Sequence, residues 1–231
     1  DDSKKRNSQP IPIVFSSTAA IYGLPLETQI PISETTLQNP INPYGRSKLM
    51  IEKILIDYHK AYKLPVSILR YFNAAGADIK GDIGEDHNPE THLIPLVLEA
   101  LFNKEGSIKV NGIDYPTYDG TCIRDYVHVS DLAKAHVLAL NKILIDKSLS
   151  IYNLGNGKGY SIMEVIDSAK KVTGKEIKIL KSKRREGDPP VLISSPEKAK
   201  KELLWKPEFP DLESIIRTAW NWYLLGKNEL Q

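Results

Sequence analysis

Ile11 to Phe15 and Val66 to Tyr71 are short apolar runs rich in β-branched residues, and the stretch between them carries helical spacing through Leu49, Ile51, Ile54, Leu55 and Tyr58 up to about Tyr62. Strand, helix, strand in that order predicts a right-handed crossover between neighbours of a parallel sheet. Runs this apolar are expected to be buried on both faces. The first run ends on Ser16-Ser17-Thr18, so its C-terminal end, where ligands of such sheets gather, carries hydroxyls. Pro25, Pro31, Pro40 and Pro43 then mark a loop, and Tyr44 and Lys48 follow one helical turn apart. A free phenol titrates near about 10 and a neighbouring cation favours its ionised form, so this pair reads as a base usable near neutral pH.

Further along, Asn73 to Pro95 is polar and irregular and is expected to form a loop over a ligand. Helix is expected from about His92 to Asn103. Short extended pieces follow within 108 to 129, then a helix capped by Ser130-Asp131 and running through Leu132, Ala135, Leu138 and Leu140. Ile151 to Leu154 reads as a third parallel strand leading into Gly155-Asn-Gly157-Lys-Gly159, with Ser161 and Glu164 as a capping box for the next helix, to about Val172. The glycine spacing is not that of a dinucleotide fingerprint, and close packing of a helix on the sheet is the expected reason for it. From Ile177 short strands alternate with helices near 196–204 and 211–225. Three strands fall short of the five or six of a usual doubly wound sheet, so part of the sheet is expected to lie outside this chain.

The 231 residues, 41% of them hydrophobic, can bury a core. Thirty-one basic residues against 29 acidic ones are too balanced to argue for nucleic acid, and no nucleic-acid partner is expected. A denser run, Lys181 to Arg185, suits either a solvated surface or a phosphorylated ligand. Cys122 is the sole cysteine, which excludes an intrachain disulfide and a cysteine-based zinc site. The longest apolar stretches, Ile11 to Phe15 and Leu93 to Leu101, are far short of a membrane span, and a cytoplasmic location is the expectation.

Six motifs stand in register: Phe15-Ser-Ser-Thr18 through Tyr22-Gly23, Pro43-Tyr44-Gly-Arg-Ser-Lys48, Leu69-Arg-Tyr-Phe-Asn73 through Gly76, Asp119 through Arg124 to His128, Tyr152-Asn-Leu-Gly155, and Arg184-Arg185-Glu-Gly-Asp188. In this order they resemble the extended short-chain dehydrogenase/reductases, and most of all the UDP-glucose 4-epimerase branch. The resemblance implies an α/β fold, with a partial doubly wound, Rossmann-like parallel sheet and a smaller α/β substrate-binding domain. It assigns residues 1–76 to the NAD-binding domain, with 124–172 packing back on it, and 77–123 with 173–231 to the nucleotide-sugar-binding domain. It also implies that the glycine-rich NAD-binding part lies upstream of Asp1, so that these 231 residues alone are expected to show little turnover.

The same resemblance implies tightly held NAD, a UDP-hexose substrate, no membrane partner and a homodimer built partly on the helix that begins at Tyr44. Tyr44 would take the proton of the sugar 4-hydroxyl, with Thr18 bonding the same oxygen and Lys48 bonding the nicotinamide ribose. Ser16, Ser17, Tyr71 and Phe72 would line the cofactor together with Tyr44 and Lys48. Asn73 would bond the diphosphate side of the substrate, and His92 and Leu93 would cover the nucleotide sugar. Lys109, Val110 and Asn111 would run beside the uracil, and Arg124 and Arg185 would clamp the diphosphate. Asp188 would bond a ribose hydroxyl, and Leu192 occupies a position whose size gates N-acetylated sugars. His128 and Asp131 read as packing and capping residues. A 4,6-dehydratase is disfavoured because Ser17-Thr18-Ala19 offers no Asp-Glu pair; a UDP-sugar-binding module without catalysis would leave the Tyr44-Lys48 pair without a use.

Overall fold

A computed structural model describes residues 10–103 and 106–228. Strands β1 (Ile13–Thr18), β2 (Val66–Tyr71) and β6 (Leu149–Leu154) form a parallel sheet in the order β1-β2-β6, with Ile13 opposite Val66 and Val66 opposite Leu149. Helix α1 (Pro43–Tyr62) crosses from β1 to β2, and α3 (Val129–Asp146) precedes β6. The expected strand, helix, strand unit is therefore present. β2 is central and buried, whereas β1 is an edge strand that begins at Ile13, not Ile11, and leaves Ile13 exposed.

A second sheet joins β3 (Asn73–Ala75), β5 (Ile123–His128), β7 (Gly159–Ser161) and the short β9 (Val191–Leu192), while β4 (Ser107–Asn111) pairs in parallel with β8 (Lys178–Ser182). Asn73 to Ala75 thus forms a strand where an irregular loop was expected, because Asn73 pairs with Tyr126 on β5. The remaining helices are α2 (Leu93–Phe102), α4 (Ile162–Thr173), α5 (Glu197–Leu203) and α6 (Leu212–Asn228).

Packing crosses the sequence-based domain division at two helices. One apolar core gathers Val165, Ile166 and Ala169 of α4 with Val97, Leu98 and Leu101 of α2 and Ile215, Ile216 and Trp220 of α6. Another gathers Ala199 and Leu203 of α5, with Trp205, against Leu69, Tyr152 and Leu154 of the first sheet. Helix α4 therefore packs with elements assigned to the nucleotide-sugar side, and α5 with the dinucleotide side.

Three local readings are revised. The cap of α3 is His128, whose Nδ1 accepts from the Ser130 amide; Asp131 is buried and its carboxylate accepts from the amides of Glu208 and Phe209. In α1 the side chains turned inward are Leu49 and Glu52, while Met50, Ile51, Ile54, Tyr58 and Tyr62 are exposed. Gly155, Asn156 and Gly157 pack chiefly on a buried side chain, with Pro196 just before α5 beside Gly157. They wrap the buried carboxylate of Asp125, which accepts from the amides of Asn156, Gly157 and Ser194 at 2.8, 3.1 and 3.0 Å and from the Ser194 hydroxyl at 2.5 Å. A Cβ on Gly155 would lie 2.5 Å from that carboxylate. Burial pushes the Asp125 carboxyl above its ordinary range, and these four donors oppose the rise. Ser161 and Glu164 form the expected capping box.

Candidate active site

Pro43 opens α1, the Asn42 side chain caps it by accepting from the Gly45 amide at 2.7 Å, and Gly45 brings the first turn against the backbone that leaves β1. A Cβ at Gly45 would meet the Ala20 carbonyl oxygen at 2.5 Å and Pro40 Cβ at 3.0 Å. This close approach places Tyr44 on the same cavity as Thr18, which ends β1. Alanine at position 45 would gain at most about 1 kcal/mol of helix propensity. Overpacking against a backbone that cannot rotate away costs more, so Gly45→Ala should lower stability by about 1–2 kcal/mol. An unchanged denaturation midpoint would show that the helix start is not held this tightly.

The cavity encloses about 700 Å³ at the C-terminal ends of β1 and β2, within the usual range of small-molecule sites. Thr18, Tyr44, Tyr71, Phe72, Asn73, His92 and Leu93 line it, joined by Asp78, Ile83, Gly84 and Glu85 from the segment after β3. The Thr18 hydroxyl accepts from the Ala20 amide at 3.1 Å, which leaves its own hydrogen to donate. Tyr44 is 52% exposed. The Lys48 ammonium donates to the Ser16 carbonyl at 2.9 Å and stands 5.7 Å from the centre of the Tyr44 ring.

Two further phenols, Tyr71 and the buried Tyr126, line the cavity with Tyr44. Burial raises the Tyr71 pKa; the Ser16 hydroxyl opposes that and the neighbouring Tyr44 adds to it. Tyr71 is held protonated. Ser16 faces the same side, its hydroxyl 2.9 Å from His136 Nε2, but it does not line the cavity.

Ser17 points elsewhere. Its buried hydroxyl donates to Glu52, which forms a 2.6 Å ion pair with Arg70, and both charged side chains are 1% exposed. Arg70 also donates to the Tyr22 hydroxyl at 3.0 Å and to the Glu34 carbonyl at 3.1 Å, and Tyr22 donates to Asn153 at 2.7 Å. Burial pulls the Arg70 pKa down, but the Glu52 carboxylate and Tyr22 outweigh it, and the group ends above its ordinary value. The side chain of Ser17 therefore has no access to a cofactor; it helps lock α1 to the sheet beneath the cavity.

The residues expected around a diphosphate come together in a separate group. Arg124 pairs with Asp188, and with the Asn111 amide turned so that its oxygen faces the guanidinium, that oxygen accepts from Arg185 Nε and Nη2 at 3.1 Å each. Asp188 is thus bonded to one expected phosphate-binding arginine, so a ribose contact would have to share it. Arg184 is held by Asp114 at 2.8 Å. Val110 is buried in the core, so of Lys109, Val110 and Asn111 it is the middle residue that offers no side chain outward. Leu192 lies opposite Arg124 on β9 and packs against the cluster of Ile21, Tyr22 and Phe72. Asn73 connects the two groups: it lines the cavity and its amide donates to the Asp125 carbonyl, next to Arg124, at 2.7 Å.

Residues 3–155 match the family described as NAD dependent epimerase/dehydratase. The chain belongs to that family. Among curated relatives, UDP-glucose 4-epimerase of Streptococcus mutans is 53% identical over 211 residues, which cover 91% of this chain and 63% of the relative. The crystal structure of UDP-glucose 4-epimerase from Brucella ovis in complex with NAD superposes with a TM-score of 0.87 at 46% identity, covering 95% of this chain and 66% of that one. The enzyme from Bifidobacterium longum in complex with NAD+ and UDP gives a TM-score of 0.87 at 41% identity, with 98% and 67% covered. This member of the epimerase/dehydratase family thus spans about 63% of the length of the curated relatives it matches. Its sheet is of the Rossmann-like parallel type found in those structures. Among the described residues no helix is long and apolar enough to cross a membrane.

No sequence motif marks the buried Glu52-Arg70 network or the Asp125 cradle. The signal available for the first was an acidic residue inside an apolar helical stripe and an arginine inside an otherwise apolar strand. Such charges persist in a core only as partners.

Proposed function

We propose that this chain carries the substrate side and the acid-base residues of a cytoplasmic enzyme that interconverts UDP-glucose and UDP-galactose with bound NAD. The observation that carries the reading is the shared cavity of Tyr44 and Thr18, with an ammonium held beside the Tyr44 ring. NAD, when bound, supplies the acceptor and donor of the hydrogen at carbon 4 of the sugar. The hydroxyl-lined ends of β1 and β2 suit that group, and Tyr44, Lys48, Ser16, Tyr71 and Phe72 are the residues of this chain that would hold its nicotinamide end.

Tyr44 takes the proton of the 4-hydroxyl and later returns it. Thr18, whose hydrogen is left to donate, bonds the same oxygen and keeps it directed at the phenol. Lys48, fixed by the Ser16 carbonyl, places its charge beside that phenol. Asn73, His92 and Leu93 enclose the sugar, Arg124 and Arg185 meet the diphosphate, and Lys109 to Asn111 border the base. Leu192, beside Arg124, limits the room on that side. Residues 1–76 with 124–172 then form mainly the dinucleotide side, and 77–123 with 173–231 mainly the nucleotide-sugar side. A homodimer through α1 is part of the same reading, supported by the exposed Met50, Ile54 and Tyr58 on α1 and Val137, Leu140 and Leu144 on α3.

Calorimetric titration of UDP into this chain tests the substrate half. Saturable binding is expected, and Arg185→Ala should weaken it by roughly tenfold to a hundredfold, the value of a charged hydrogen bond. Absence of UDP binding, or an unaffected variant, would remove the assignment of this face to the nucleotide.

A further inference from the structure

Between β3 and α2, the run Glu85-Asp-His87-Asn-Pro-Glu90-Thr-His92 folds two imidazoles and two carboxylates onto one point. One oxygen from each of Glu85 and Glu90 and one nitrogen from each of His87 and His92 all lie within 4.8 Å of one another. A tetrahedral zinc ion with bonds of about 2.0–2.1 Å sets its donor atoms about 3.3 Å apart. The two Nδ1 atoms are 3.3 Å apart, His87 Nδ1 is 3.4 Å from Glu85, and His92 Nδ1 is 3.2 Å from Glu90. The remaining two nitrogen–oxygen pairs, at 2.6 and 3.9 Å, bracket the same value.

The donors are also held in place. The imidazole centroids are 5.0 Å apart with planes 14° from parallel, and the Nδ1 atoms, 3.3 Å apart, lie on the edges nearest each other. Glu90 is oriented by the amides of Thr91 and His92, at 2.6 and 2.7 Å. The Glu85 carbonyl is fixed by Trp222 Nε1 at 2.9 Å.

We propose that Glu85, His87, Glu90 and His92 form a binding site for a divalent transition-metal ion, best matched by zinc. Imidazole and carboxylate together suit zinc better than the hard cations magnesium and calcium. The ion would bind the segment after β3 to the start of α2, and because Glu85 and His92 also line the Tyr44 cavity, it would fix one wall of that cavity. The site stands on its own geometry and does not require the proposed epimerase reading.

Zinc titrated by calorimetry into the untagged chain, freed of metal beforehand, is expected to saturate at one ion per chain. X-ray absorption of the loaded protein should show two imidazole nitrogens and two oxygens. His87→Gln and Glu90→Gln should each weaken binding by about a hundredfold, while their metal-free melting curves match that of the parent, since His87 is more than half exposed and glutamine at position 90 keeps an oxygen to accept from the amides of Thr91 and His92. Absence of saturable heat, or undiminished affinity in either variant, would overturn the proposal.

Discussion

Glu52→Ala is expected to lower the folding free energy by about 3–5 kcal/mol, the cost of leaving a buried charge without its partner. Both members of the Glu52-Arg70 pair are 1% exposed, and the carboxylate takes Arg70 through Nε and Nη2 as well as the Ser17 hydroxyl. Without it the guanidinium keeps only the Tyr22 hydroxyl and the Glu34 carbonyl, neither of which carries charge. The charge cannot be dispersed into water at that depth. Because Ser17, Glu52 and Arg70 lie on β1, α1 and β2, the same substitution loosens the three elements that position Tyr44. Urea denaturation of parent and variant measures the effect; a loss under about 1 kcal/mol would mean that water reaches the pair and that it does not anchor α1.

What the sequence disclosed and what it concealed follow from the physics of each element. The β1-α1-β2 unit was readable because apolar, β-branched runs flank a helical stripe, and such patterns have few alternative folds. The start of α4 was readable from the Ser161-Glu164 box, since capping is local chemistry, and that of α1 to within one residue, Pro43 opening the helix where it was expected to end the loop. The facing of α1 was not. Its apolar residues, Ile51, Ile54 and Tyr58, lie outward and Glu52 inward, because the core position is decided by a charge on a different strand, 18 residues away. Periodicity cannot see that pairing. The glycine loop at 155–157 concealed its purpose for the same reason: its partner, Asp125, stands 31 residues earlier. His128 as a cap was hidden because histidine caps are uncommon and Ser130-Asp131 offered a commoner choice.

The site divided along similar lines. Thr18, Tyr44, Phe72, Asn73 and His92 were singled out from motifs, and the fold brings all five to one cavity. Ser17 was singled out from the same motif, yet alternation along β1 turns its side chain to the opposite face, onto Glu52. Arg124 and Asp188 were each assigned to a ligand, and in the folded chain they meet each other. Side-chain pairing across 64 positions leaves no trace in a motif.

Tyr44→Phe carries the second large effect. The substitution removes one oxygen from a half-exposed ring and leaves the ring's packing and the nearby Lys48 in place, so stability should change little. Loss of a positioned acid-base group costs about a hundredfold to ten-thousandfold in rate. Tyr71, held protonated by burial, cannot substitute for it. UDP affinity should persist, since the arginines assigned to the diphosphate lie on other elements.

The decisive measurement is inversion at carbon 4 of UDP-galactose, followed by proton nuclear magnetic resonance in NAD-supplemented buffer, using the protein as it is made in the cell and its Tyr44→Phe variant. Conversion to UDP-glucose by the parent, reduced at least about a hundredfold in the variant with UDP binding intact, is the expected result. Equal conversion by both proteins, or release of a dehydrated sugar in place of the C4 epimer, would contradict the account.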